Sequence, residues 1–308
     1  MSVEVKSRIR SGRGTRAVRG ELGPSASPLT GQAVLLSSDE VGEHVRHPYI
    51  YSHYRRPLQG SMLTALLSGL LTWHNETANI WTHLCGFAWA VWRLVEVQTS
   101  AQGSPSGRAA AGIFHLSAMA VLIASTTAHL FGPILPQKTS QRLWRLDHAC
   151  ICITIGGSYV PGLQYGFRCH PSARTFYSIV TCTGLLISFY LTLVPRPGNH
   201  GRDWLRIGAL CTTVIFGLAP TGHFCSFASK EDFYVMVPGL LGMFAAYGIG
   251  LTAFLTLLPE RIDPQRFACF SSHALWHIFI VLALASWDYS VKQMLKQDWE
   301  CTLQSNGG

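Results

Sequence analysis

From Ser271 to Ser290 the chain reads SSHALWHIFIVLALASWDYS. This run is close to the roughly 20 residues that a helix needs to cross a bilayer. Its first two turns carry His273 and His277. Residues at i and i+4 share one helix face, about 6 Å apart along the axis. Polar groups at membrane depth are expensive and mark function. Two imidazoles on one face make a natural two-ligand site for zinc. His129, at the end of another apolar run, offers a third nitrogen, and Asp147 lies between them in sequence. Spacing alone leaves two readings open: a zinc site, or histidines that pack between helices.

Working outward, the chain has 308 residues, of which 48% are hydrophobic and only 13% charged. A soluble domain would carry about 25% charged residues. Seven apolar runs stand out, at about 77–97, 110–132, 147–167, 174–195, 206–226, 233–257 and 271–290. The third and fifth are the weakest by hydropathy and carry Pro161 and Pro220 in mid-span. Neighbouring helices can satisfy such breaks within a bundle. The fold expected is an all-α membrane protein, a seven-transmembrane helix bundle. The first 30 residues are basic and polar and lack the apolar core of a signal peptide.

Lys and Arg set the orientation. The segment before span 1 and the even-to-odd loops hold 17 of them, the opposite loops and the C-terminus hold 6, and Arg93 lies inside span 1. The N-terminus is therefore expected in the cytoplasm and the C-terminus outside or in a lumen. The net charge of +8 reads as a topology signal with some attraction to anionic lipid, not as nucleic-acid binding. In this topology His129, Asp147, His273 and His277 all fall in the cytoplasmic half, though up to 148 residues apart in sequence.

Residues 1–45, rich in Arg, Ser and Gly, are expected to form a disordered basic cytoplasmic tail. Residues 46–76 form a juxtamembrane segment. Within it Met62, Leu63, Leu66, Leu67, Leu70 and Leu71 suggest an amphipathic helix on the inner membrane surface. The seven-helix domain then runs over 77–292, and 293–308 make a short outside tail. The nine cysteines are scattered without a CxxC pair, which predicts neither a disulfide framework nor a thiolate metal site.

The stretch His74-Asn75-Glu76-Thr77-Ala78-Asn79-Ile80-Trp81-Thr82-His83-Leu84 resembles the HNET-x-NIWTHL motif of the progestin and adipoQ receptor (PAQR) family, which includes haemolysin-III-like proteins. Five other segments agree in order: Ser125-Thr126-Thr127-Ala128-His129, Leu146-Asp147, Gly157-Ser158-Tyr159-Val160-Pro161, Pro259-Glu260-Arg261 and Ser272-His273-Ala274-Leu275-Trp276-His277. The resemblance spans about 49–288 and leans towards the adiponectin-receptor-like branch. Ala128 stands where those receptors have an aromatic residue, and His148 where they have Tyr.

The resemblance implies seven helices around an intramembrane zinc site near the cytoplasmic side. Its zinc ligands fall on His129, His273 and His277, its water-holding Asp on Asp147 and its site Ser on Ser125. Three imidazoles leave the fourth zinc position open, the catalytic arrangement. Asp147 would act as general base and Ser125 would polarise a substrate carbonyl. The family resembles ceramidases, so the expected reaction is hydrolysis of a ceramide-like lipid amide to fatty acid and sphingoid base, stimulated by ligand. The alternative is a signalling receptor or membrane scaffold whose zinc is structural. Expected partners are ceramide or free fatty acid in the bundle cavity, an extracellular protein or a steroid or lipid ligand, and a cytoplasmic partner of the N-terminal tail. The expected location is the plasma membrane or an endomembrane. Taken without the resemblance, Asp147 reads as a charge at a helix N-terminus. Glu76, Asn79 and His83 read as a polar network capping span 1.

Overall fold

The computed structural model describes residues 35–194, 204–297 and 301. Among them, helices dominate: α1 (Met62–Leu71), α2 (Thr77–Thr99), α3 (Pro105–Phe131), α4 (Gln137–Gly166), α5 (Pro171–Leu193), α6 (Trp204–Phe216), α7 (Leu218–Phe227), α8 (Lys230–Thr256) and α9 (Ser272–Met294). Every apolar run read from the sequence falls on a helix. Five stretches are long and apolar enough to cross a membrane: α3 with the turn after it, α5, α6 with α7, α8 and α9. The fifth run thus qualifies despite Pro220. It does so as two helices broken at Gly217, where an added Cβ would meet the Val214 carbonyl at 3.0 Å and the Tyr159 hydroxyl at 2.9 Å.

Two helices fall outside those five by hydropathy, not by length. At about 1.5 Å per residue α2 is about 35 Å long and α4 about 45 Å. Asn79, His83, Arg93 and Glu96 lower the hydropathy of α2. The first ten residues of α4, Gln137–Leu146, are largely polar. This corrects the local reading of Asp147. It lies ten residues inside α4, so it is not an N-terminal charge.

α8 packs along α9, and α3 packs against both α2 and α4. Small residues let these helices approach, as in membrane bundles generally. A Cβ on Gly239 of α8 would meet the Ser286 carbonyl of α9 at 2.5 Å, and Thr154 of α4 donates its hydroxyl to the Ser117 carbonyl of α3 at 2.8 Å. The outer helices turn apolar residues away from the bundle: only 17% of the most apolar stretch of α5 is buried. Phe176, Ile179, Leu186 and Tyr190 are exposed. An apolar exterior on helices long enough to cross a membrane suits contact with lipid.

Away from the histidines, α2, α3 and α9 share a buried ionic cluster. Arg93 donates Nε to Asp288 Oδ2 at 2.7 Å and Nη2 to Oδ1 at 3.2 Å. His115 Nε2 donates to Asp288 Oδ1 at 2.8 Å, and Arg93 also pairs with Glu96.

Two expectations are corrected. Residues 35–45 of the expected tail are folded, while residues 1–34 lie outside the described residues. Leu36 and Tyr54 exchange backbone hydrogen bonds of 2.8 and 3.0 Å. Val41, Ile50, Tyr54 and Ala268 form a small apolar cluster, which gives this segment a reason to stay. The expected absence of disulfides fails at one pair: Cys169, after α4, bonds Cys301, after α9. A separation of 132 residues hides such a pairing, because only the fold brings these two ends together.

Arg55 clamps the segment onto the bundle. Its guanidinium is buried. It donates to the Leu130 carbonyl at 2.5 Å, the Ala65 carbonyl at 2.6 Å and the Ser68 hydroxyl at 2.8 Å. Burial pushes its pKa down to about 10. The clamp ties α1 to the last turn of α3, one residue past His129. Arg55→Ala takes the donor from the buried Leu130 carbonyl, at about 1–3 kcal/mol, while the Ala65 carbonyl keeps the Ser68 hydroxyl at 3.0 Å. The expected result is a destabilisation of about 1–3 kcal/mol, measured as a lower thermal midpoint of the protein in detergent. An unchanged midpoint would refute the clamp.

Candidate metal centre

His129 ends up in the last turn of α3 because Ser104 and Pro105 start that helix 25 and 24 residues earlier, with Ser104 Oγ accepting from Gly107 N–H. Ser125 lies one turn before it, on the same face. His273 and His277 occupy the first two turns of α9. Glu260 anchors that helix start by accepting from Ser272 N–H at 2.6 Å and from its hydroxyl. A carboxylate suits a helix N-terminus.

The ligand-capable nitrogens of His129, His273 and His277 lie within 4.8 Å of one another. His129 Nε2 and His273 Nε2 are 3.2 Å apart. Two imidazoles on one tetrahedral zinc, each about 2.05 Å from it, place their nitrogens roughly 3.3 Å apart. His129 and His277 are buried, and His273 is partly so. The other nitrogens of the two buried rings are engaged elsewhere. His129 Nδ1 donates to Glu76 Oε2 at 2.7 Å, and His277 Nδ1 donates to the Asn79 carbonyl at 3.1 Å. Both rings therefore turn Nε2 towards the centre. Three neutral imidazoles converging in this way fit zinc.

The expected site residues do not all stand equally close. Asp147 is buried and lies within electrostatic reach of His129 and beside the Ser125 hydroxyl. It is not one of the three converging groups. Ser125 Oγ is buried and makes no hydrogen bond of ordinary geometry. Trp144 of α4 lies edge-on to His129, with ring centres 4.8 Å apart, and covers it.

Sequence reasoning misjudged the network around span 1. Glu76 occupies the N-cap of α2 but its side chain caps nothing there. It points inward, where it accepts from His129, from His47 Nε2 at 3.1 Å and from Asn79 Nδ2 at 2.6 Å. Burial alone would raise the Glu76 carboxyl. The hydrogen bonds it accepts from His129 and His47 outweigh that and hold the group well below the ordinary carboxylate value. The turn before α2 is closed by His74 instead, whose Nδ1 accepts from Glu76 N–H at 3.1 Å while Nε2 donates to the Gly69 carbonyl at 3.0 Å. His83 stacks on His277, ring centres 3.7 Å apart and nearly parallel. The signal for Glu76 was its neighbour relation to His129 in space, which sequence spacing does not carry.

A small, mostly apolar pocket opens further along the bundle, between α4, the start of α7, α8 and α9. Phe167, Met236, Met243, Tyr247 and Trp287 help line it. Trp287 follows His277 by ten residues, about 15 Å along α9.

A family model described as haemolysin-III related matches residues 71–287. Progestin and adipoQ receptor family member 3 of Homo sapiens is 29% identical over 260 residues, covering 81% of this chain and 82% of that protein. Heptahelical transmembrane protein 3 of Arabidopsis thaliana is 27% identical over 292 residues, covering 80% of this chain and 83% of its own. The adiponectin receptor protein of Drosophila melanogaster is 26% identical over 263 residues, covering 80% of this chain and 56% of its own. With its apolar helices and this match over most of its length, the chain is an integral, multi-pass membrane protein that belongs to the haemolysin-III related family, alongside the progestin and adipoQ receptors.

Proposed function

We propose that this protein is a seven-span receptor of the PAQR type with a zinc-dependent, ceramidase-like lipid amidohydrolase site. The observation that carries the reading is the convergence of His129, His273 and His277 with Asp147 and Ser125 beside them, inside a membrane bundle. α2 and α4 join the five apolar stretches as spans, since each is long enough to cross about 30 Å of hydrocarbon. Their polar groups face partners within the bundle, as Arg93 and Thr154 do. The N-terminus is then cytoplasmic. The disulfide supports this orientation: Cys169 and Cys301 fall at the ends of α4 and α9 remote from the histidines, and disulfides persist in oxidising compartments.

His129, His273 and His277 would hold the ion. When bound, zinc would supply a Lewis acid and lower the pKa of water towards about 7. Asp147 then accepts the proton of the attacking water and passes it to the leaving amine. Ser125 donates its hydroxyl to the amide oxygen as charge develops there. The apolar lining of the pocket further along the bundle suits the hydrocarbon of a substrate drawn from the bilayer. Fatty acid and sphingoid base are the products. An outside ligand would act by shifting the bundle around this site.

The test is ceramide turnover and zinc content of the purified full chain beside Asp147→Asn. The variant is expected to keep its zinc and lose turnover by about 10²- to 10⁴-fold, the range for a positioned general base. Wild type with zinc but no turnover, and a silent Asp147→Asn, would refute the hydrolase and leave a receptor or scaffold with a structural ion.

A further inference from the structure

We propose that Glu76 is a positioning residue of the metal centre: it holds His129 with Nδ1 protonated and Nε2 turned to the ion. His47 ties the same carboxylate to the segment that precedes the bundle. The proposal rests on the metal reading above.

Glu76 is 1% exposed, at the first turn of α2. A residue at that position ordinarily caps its own helix. Here the side chain makes no cap bond, and His74 and Thr77 close the turn in its place, with His74 N–H donating to Thr77 Oγ1 at 2.8 Å. The carboxylate is thereby free to face α3. An ionised carboxylate only accepts. The 2.7 Å contact to His129 therefore fixes the proton on Nδ1 and leaves the Nε2 lone pair for a ligand. Carboxylate–histidine pairs of this kind set ring orientation and raise ligand basicity at metal sites.

The rest of the carboxylate is held as firmly. Asn79 Nδ2 donates to Oε2 at 2.6 Å, and His47 Nε2 and Asn75 Nδ2 donate to Oε1 at 3.1 and 3.4 Å. The same turn of α2 also orients His277 through the Asn79 carbonyl at 3.1 Å. One turn of one helix thus aims two of the three imidazoles. His47 belongs to the folded segment before α1, on the side of the bundle nearest the histidines. Moving that segment withdraws a donor from the group that aims His129. The N-terminal segment thereby acquires a physical route to the site.

The experiment uses the full chain in detergent and reads zinc by competition with a chelator, beside circular dichroism and gel-filtration profile. Glu76→Gln is expected to stay helical and monodisperse and to bind zinc about 10- to 100-fold more weakly. His47→Ala is expected to weaken zinc in the same direction, by less. Folded Glu76→Gln with wild-type affinity overturns the proposal, and unchanged affinity in His47→Ala overturns its second half. Should Glu76→Gln fail to fold, a zinc-loaded structure of the wild type decides. His129 on the ion through Nε2, with Glu76 on Nδ1, supports the assignment; coordination through Nδ1 overturns it. A wild type that takes up no zinc instead refutes the metal reading beneath it, a distinct result.

Discussion

Replacing His273 and His277 together with alanine is expected to strip the purified protein of zinc and of all ceramide turnover, while its helices remain. Wild type should carry about one zinc per chain. The double variant keeps a single imidazole, His129, too few donors for a site that takes three protein ligands. Because ligands contribute jointly, the loss should be near complete. The fold should survive. His273 is only partly buried, and His277 gives up one hydrogen bond to the Asn79 carbonyl and its stack on His83. Metal analysis, turnover and circular dichroism on paired preparations separate these effects. Zinc retained in the double variant would place the ion elsewhere. A wild type without zinc would sink the hydrolase reading altogether.

Helical periodicity is a local property, so the two-histidine face is legible in the sequence. Two histidines four apart in an apolar run must share a face wherever that helix packs. Their meeting with His129 is not local, and charge asymmetry plus span counting could only bring all three to the same side. The apolar runs likewise marked the helices, since a bilayer demands continuous hydrocarbon. Helix ends outside the hydrocarbon obey no such demand. For that reason the polar start of α4 was invisible, and Asp147 looked terminal when it sits ten residues in. Pro220 did mark the break in the fifth run: its missing N–H and its ring act on the preceding turn, so the helix divides three residues earlier, at Gly217. Glu76 illustrates the deeper limit. Its position before α2 fits an N-cap, and only the packed bundle reveals that His129 takes its carboxylate instead. The Cys169–Cys301 bond was out of reach for the same reason, as its partners lie 132 residues apart.

Asp288→Ala is expected to produce the largest loss of stability, about 3–5 kcal/mol, with zinc content unchanged. Asp288 neutralises Arg93 through two hydrogen bonds and receives a third from His115. The Arg93 and Asp288 side chains are 4% and 9% exposed, so water cannot stand in for a lost partner. Removing the carboxylate strands a guanidinium among α2, α3 and α9. Glu96 compensates only in part, because it is 38% exposed and shares its charge with Lys292. Breaking a buried pair costs far more than the pair contributes, since the desolvation of the remaining charge is no longer offset. The paired change Arg93→Met with Asp288→Leu removes both charges and should recover most of the loss. The thermal midpoints of the single and double variants in detergent decide the matter. A double variant as unstable as the single one would mean that the cluster matters for shape and not for charge. Asp288 lies eleven residues beyond His277 on α9, about 16 Å along the axis. Its loss should therefore spare the histidine cluster, because the buried ion pair and the three imidazoles lie at opposite ends of α9.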